Sequence, residues 1–173
     1  NIPYGLEMQL PVYVYLLTNA NVTNAFNGGK AADLTSSGID DITRSIYLKG
    51  GTAQNIYGGS DSSGEVTASH IYIESGNVTN VFGGNNLGGT TQISNIIVTG
   101  GTANNIYGGG NQVGVPTTNI KTNGGNIGTI FGGSNMSGDV TESFITTNDG
   151  TDGSSIQTVY GGNNQGGTTA TTN

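Results

Sequence analysis

The chain has no cysteine and no tryptophan, and its 173 residues include three prolines, one histidine and only four lysines and arginines. Without cysteine, no disulfide staples the fold and no thiolate holds a metal. The lone histidine, His70, has no second imidazole to share a metal or a proton with. Four basic against eleven acidic residues leave a net charge of −7. That removes the electrostatic basis for docking on nucleic acid or anionic lipid, so neither is an expected partner. Long apolar runs are missing too: the longest, Leu10 to Leu17, falls far short of the roughly 20 residues of a membrane helix, and membrane insertion is not expected. The chain opens at Asn1 with no basic segment ahead of that run, and it reads as processed or as a piece of something larger. The low charge and the abundance of Thr and Asn read as extracellular or cell-surface.

What the chain does have is glycine, 32 residues of it, with asparagine and threonine close behind. These residues disfavour helix, glycine by about 1 kcal/mol per site. Disorder does not fit either, because apolar residues return in register. Ile56-Tyr57-Gly58-Gly59, Val81-Phe82-Gly83-Gly84, Ile106-Tyr107-Gly108-Gly109, Ile130-Phe131-Gly132-Gly133 and Val159-Tyr160-Gly161-Gly162 share one formula at spacings of 25, 25, 24 and 29 residues. A worn copy, Ala25-Phe26-Asn27-Gly28-Gly29, lies 31 residues ahead of the first. A unit of this length that recurs cannot bury its own apolar face and must stack on its neighbours.

The expected fold is therefore all-β: a parallel β-helix of about six coils of about 25 residues, right-handed by the general crossover preference. Residues 1–20 are expected to form an N-terminal cap containing a strand with period-two alternation, and residues 21–173 a single repeat domain. An inserted loop at about 30–40 accounts for the long first spacing. Two columns are expected inside: Ala53, Val78, Ala103, Ile127 and Ile156, and Ile56, Val81, Ile106, Ile130 and Val159. A third apolar set, from Ile71 and Ile73 to Phe144 and Ile145, closes each coil. A further column of Val66, Thr91, Pro116, Val140 and Thr169 reads as one more short strand, making about three per coil.

Among columns that could carry function, the aromatic one has two readings. Alternation turns Tyr57, Phe82, Tyr107, Phe131 and Tyr160 outward, where ring faces could bind a sugar; a Gly-Gly corner behind them also allows the rings to stack as structure. Tyr57, Tyr107 and Tyr160 put a hydroxyl at alternate coils, about 9.6 Å apart and near the repeat of an extended β-linked glucan. Asp61, Asn86, Asn111, Asn135 and Asn164, one per coil, are expected to form a structural amide ladder at the corner. No catalytic residue and no metal or cofactor site can be assembled. Glu65 and Asp139 share a column but stand three coils apart, roughly 14 Å, and the Asp of calcium-binding nonapeptide repeats is missing from every coil. His70 reads as a surface strand residue. Lys30, Arg44, Lys49 and Lys121 do not fall in one column, and the sequons at Asn21, Asn77 and Asn135 follow from composition.

The formula Gly-Gly-Thr-Ala-Asn-Asn-Ile-Tyr-Gly-Gly-Gly-Asn with Ile-X-Val strands between its copies, over roughly residues 50–169, resembles the Gly-rich parallel β-helix repeats of large bacterial surface proteins and adhesins, in the broad pectin-lyase-like group. The resemblance implies an extracellular adhesin, stalk or polysaccharide-binding module, with polysaccharide or a cell-surface glycan as partner. No lyase motif maps onto any residue. The alternatives are a structural spacer, a lyase-like enzyme, and an ice-binding rod; the last needs strict Thr ranks, where this chain has Thr52, Asn77, Thr102, Asn126 and Ser155.

Overall fold

The computed structural model describes residues 12–31, 44–147 and 154–173. Most of the expected cap segment and of the inserted loop lies outside these residues. Eleven strands and no helix occur among them: β1 Val12–Leu16, β2 Asn21–Phe26, β3 Arg44–Tyr57, β4 Glu65–Phe82, β5 Thr90–Val98, β6 Thr102–Tyr107, β7 Thr117–Thr122, β8 Asn126–Phe131, β9 Val140–Thr147, β10 Ser155–Tyr160 and β11 Thr169–Thr172. Every pairing is parallel. The fold is a parallel β-solenoid.

Two sheet faces run the length of the rod. The C-terminal halves of β3 and β4 stack with β2, β6, β8 and β10, and their N-terminal halves stack with β1, β5, β7, β9 and β11. β3 and β4 bend from one face to the other at Gly50, Gly51 and Gly76, whose φ of 144°, 67° and 87° only glycine adopts without strain. A third side carries Gly- and Ser-rich turns that stack through backbone bonds such as Asn86 N–H to Ser60 O (3.0 Å) and Gln112 N–H to Asn86 O (2.9 Å), without forming strands. The coil count is corrected from six to about five, because six copies of the motif bound five turns. β1 joins the stack in register, Val14 against Ile46 and Leu16 against Leu48, and so carries the aliphatic column one strand further.

Inside, the two predicted columns hold as far as Ile127 and Ile130; in the last coil, which nothing covers among the described residues, Ile156 is only half-buried and Val159 is 47% exposed. Ala53, Val78, Ala103 and Ile127 are at most 3% exposed and Ile56, Val81, Ile106 and Ile130 are fully buried. They pack with Ile46, Leu48, Ile71, Ile73, Ile96, Val98 and Ile120 in one core. Each of the Val, Leu and Ile side chains taken from water contributes about 1.5–3 kcal/mol. The expected third strand is not separate: Val66 and Thr91 belong to β4 and β5. One member of that column is also corrected. Val115, not Pro116, is buried, because Ile93 pairs with Thr117 and the register carries Thr91 onto Val115. Phe144 pairs with Asn119 outside the aliphatic column, while Ile145 pairs with the buried Ile120.

Candidate functional site

The aromatic column lies inside the rod. Ring centroids from Phe26 through Tyr57, Phe82, Tyr107, Phe131 to Tyr160 are 4.7, 4.7, 5.0, 5.1 and 5.1 Å apart, tilted by 5–12°. Tyr57, Phe82, Tyr107 and Phe131 are 3–9% exposed and form a cluster of their own beside the aliphatic core. Alternation fails here because the corner begins at the ring, so two successive side chains, such as Ile106 and Tyr107, are both covered. Each internal ring has a neighbour on both faces, leaving none for a sugar; Tyr160, at the end of the stack, is 53% exposed.

Burial, with the Asp61 carboxylate second, pushes the Tyr57 phenol up to about 12. The unfolded phenol titrates near 10. The native state therefore holds this proton more tightly, and the stability it contributes is complete below pH 10 and lost as pH rises to about 12. Tyr57→Phe should flatten the fall in melting temperature across that window; an unchanged slope would place the phenol in water.

The amide ladder runs unbroken. Asn86 Nδ2 donates to Asp61 Oδ1, Asn111 to Asn86 and Asn135 to Asn111, each at 2.8 Å, and Asn164 to Asn135 at 2.9 Å. These side chains satisfy one another and are half-buried or, at Asn164, exposed. The turn backbone is held by different residues, which composition hides. Asn85, fully buried, accepts from Ser60 N–H (2.9 Å) and Thr91 Oγ1 (3.1 Å) and donates to Gly64 O (3.0 Å) and Gly88 O (2.9 Å). Asn163 repeats the pattern with Ser134, Thr169, Gly138 and Gly166. Asn85→Ala would strand two donors, Ser60 N–H and the Thr91 hydroxyl, and the Gly88 carbonyl, while Gly64 O keeps its bond from Thr90 N–H; it should cost on the order of 3 kcal/mol, against about 1 kcal/mol for Asn111→Leu, where water can replace the lost amide. Thermal melting of the two variants checks the order, and equal losses would contradict it.

Beside the rings runs a buried line of hydroxyls. Ser69 Oγ donates to the Gly83 carbonyl and Thr118 Oγ1 to that of Gly132 at 2.6 Å. This line explains the motif glycines. Gly58, Gly83 and Gly108 are not among the residues with positive φ; a Cβ on any of them would meet the carbonyl of the next coil and the Ser or Thr beside it. His70, expected on the surface, is only 6% exposed.

Outside, the face built on β2, the C-terminal halves of β3 and β4, β6, β8 and β10 is polar throughout. One column links Asn24, Asn55, Asn80 and Asn105 by amide bonds of 2.9–3.0 Å. Thr52 Oγ1 bonds Asn21 Oδ1 and Ser155 Oγ bonds Asn126 Oδ1 in another. Where Gly128 supplies no side chain, an open groove of about 330 Å³ is lined by Thr102, Asn104, Asn126, Thr129, Ser155 and Gln157 among others, with no charged group. Asp139, one of the two acids that share a column, accepts from Thr168 N–H and Oγ1 at 2.9 Å.

Fold and surface together define a parallel β-solenoid with a polar, charge-poor flank. In comparisons with known proteins, no family model, no curated protein and no solved structure matches the chain.

Proposed function

We propose that the protein is a non-catalytic extracellular β-helix module that binds polysaccharide or a cell-surface glycan, as an adhesin does. The observation that carries this reading is the uncharged groove at Gly128. Its amides and hydroxyls each offer both donors and acceptors, the complement of a hydroxyl-rich ligand. No titratable group lines it, so nothing there can serve as general acid or base. The outward amides of the neighbouring column already bond one another, and this holds them in place before a ligand arrives.

Retention on insoluble polysaccharides, backed by a glycan array, tests the proposal. Asn104→Ala combined with Gln157→Ala should weaken binding about tenfold or more, the worth of one or two hydrogen bonds, and should leave the melting temperature near that of the unmodified protein. Failure to retain any glycan would favour the second reading, a spacer, which the unbroken ladders along the rod support. Turnover of a polysaccharide that is lost on changing one acid would contradict the non-catalytic assignment.

A further inference from the structure

The outer surface carries a second aromatic group on the opposite sheet face, which repeat-reading of the motif does not reveal. Tyr15 pairs in register with Tyr47, and Tyr47 with Tyr72. Tyr15 and Tyr47 stack at 5.1 Å and 19°, Tyr47 and Tyr72 at 4.6 Å and 10°, and Tyr13 meets Tyr47 edge-on at 6.0 Å. Unlike the internal rings, Tyr13 and Tyr15 are 39% and 48% exposed. The same column continues as Ile97, Lys121 and Thr146, so coils stack here without aromatics and the rings are not a requirement of the fold. Lys49 Nζ lies 5.4 Å from the Tyr15 ring centre and 5.0 Å from that of Tyr47, and Glu74 holds it at 3.1 Å. Both members of that pair remain open to solvent.

Tyr47 is covered on both faces by Tyr15 and Tyr72, so the open ring is Tyr15, at the β1 end of the stack. We infer that Tyr15, flanked by Tyr13 and rimmed by Lys49 and Glu74, forms a stacking site for the apolar face of a neutral β-linked pyranose chain. The inference rests on the carbohydrate-binding reading and names a separate place and a ligand class for it. A flat ring of exposed carbon with a polar rim asks for a ligand of the same build. A pyranose with equatorial hydroxyls has C–H bonds on its face and hydroxyls at its edge, where Lys49 donates and Glu74 accepts. An aliphatic chain would leave that ion pair unused. A polyphosphate would meet a chain of net charge −7.

Calorimetric titration with cellohexaose and with maltohexaose tests the site in the unmodified protein, in Tyr15→Leu, which keeps apolar bulk but removes the flat face, and in Tyr15→Phe. The unmodified protein should bind cellohexaose in preference to maltohexaose. Tyr15→Leu should lose about tenfold in affinity, the worth of one aromatic stacking contact, while Tyr15→Phe stays close to the unmodified protein. The tyrosine near-ultraviolet circular dichroism should change on binding, and the change should shrink in Tyr15→Leu. Binding that Tyr15→Leu leaves intact would overturn this site and leave the groove at Gly128 standing. Equal affinity for the two sugars would overturn the ligand class, and absence of binding to both would overturn this site and weigh against the broader reading as well.

Discussion

Tyr107→Ala should lower the melting temperature by on the order of 10 °C. The ring sits between Phe82 and Phe131 at 5.0 and 5.1 Å and is 6% exposed. Truncating a buried aromatic costs about 3–5 kcal/mol, because the site cannot close over the cavity. In a chain of this length each kcal/mol is worth about 2–4 °C. Collapse is especially hard here, since the ring's neighbours are fixed one coil away by backbone bonds such as Gly83 N–H to Tyr107 O at 2.9 Å. Tyr107→Phe is the control: phenylalanine fills this column at Phe82 and Phe131, so the change should cost little. A melting temperature unmoved by alanine would put the ring in solvent and return the aromatic column to the list of sugar-binding surfaces.

Gly83→Val should be more damaging than its small change in volume suggests. A Cβ at this position lands on the carbonyl oxygen of Gly108 and within 2.6 Å of Ser94 Cβ. Neither obstacle is the free end of a flexible side chain. The first is the backbone of the next coil, and Ser94 is itself buried and bonded to that carbonyl. Relief requires prying two coils apart, which breaks the ladder at Gly83 and unstacks Phe82 from Tyr107. Overpacking of this kind costs about 3 kcal/mol or more, and the variant should melt well below the parent or fail to accumulate as folded protein. Gly162→Ala offers the comparison: its added Cβ meets nothing nearer than 3.6 Å, and thermal melting should show almost no change. Equal tolerance at both positions would mean that the coils are not in the contact described.

The columns of Ile56 and Ala53 were legible because a period near 25 and an alternation of two fix both the neighbour and the direction of each side chain. The ladder from Asp61 to Asn164 was legible for the same reason. What was hidden depends on single steps in the backbone. The rings of Tyr57 and Tyr107 turn inward because the chain corners at the residue itself, where alternation no longer applies. Val115 replaces Pro116 because one coil is a residue shorter than its neighbours, and a shift of one exchanges inside for outside. Asn85, Asn163, Ser69 and Thr118 carry much of the internal polar bonding, yet asparagine, serine and threonine are so common on this surface that nothing marks the buried ones. The outer tyrosines had a signal in the spacing of Tyr47 and Tyr72. Their union with Tyr13 and Tyr15 depends on the register of β1, which lies across a long and irregular first coil.

The register of coil upon coil underlies every assignment of inside and outside, and a pair of cysteines tests it most directly in a chain that has none of its own. Asn80 and Asn105 are partners on adjacent coils, with Thr129 one coil further. Adjacent parallel strands lie about 4.8 Å apart, within disulfide reach, and a two-coil gap of about 9.6 Å is beyond it. Under mild oxidation, Asn80→Cys with Asn105→Cys should close an intramolecular disulfide in most molecules, and Asn80→Cys with Thr129→Cys should close almost none. Closure of the second pair in preference to the first, or of both equally, would contradict the stacking and with it the sorting of rings to the inside and amides to the outer face.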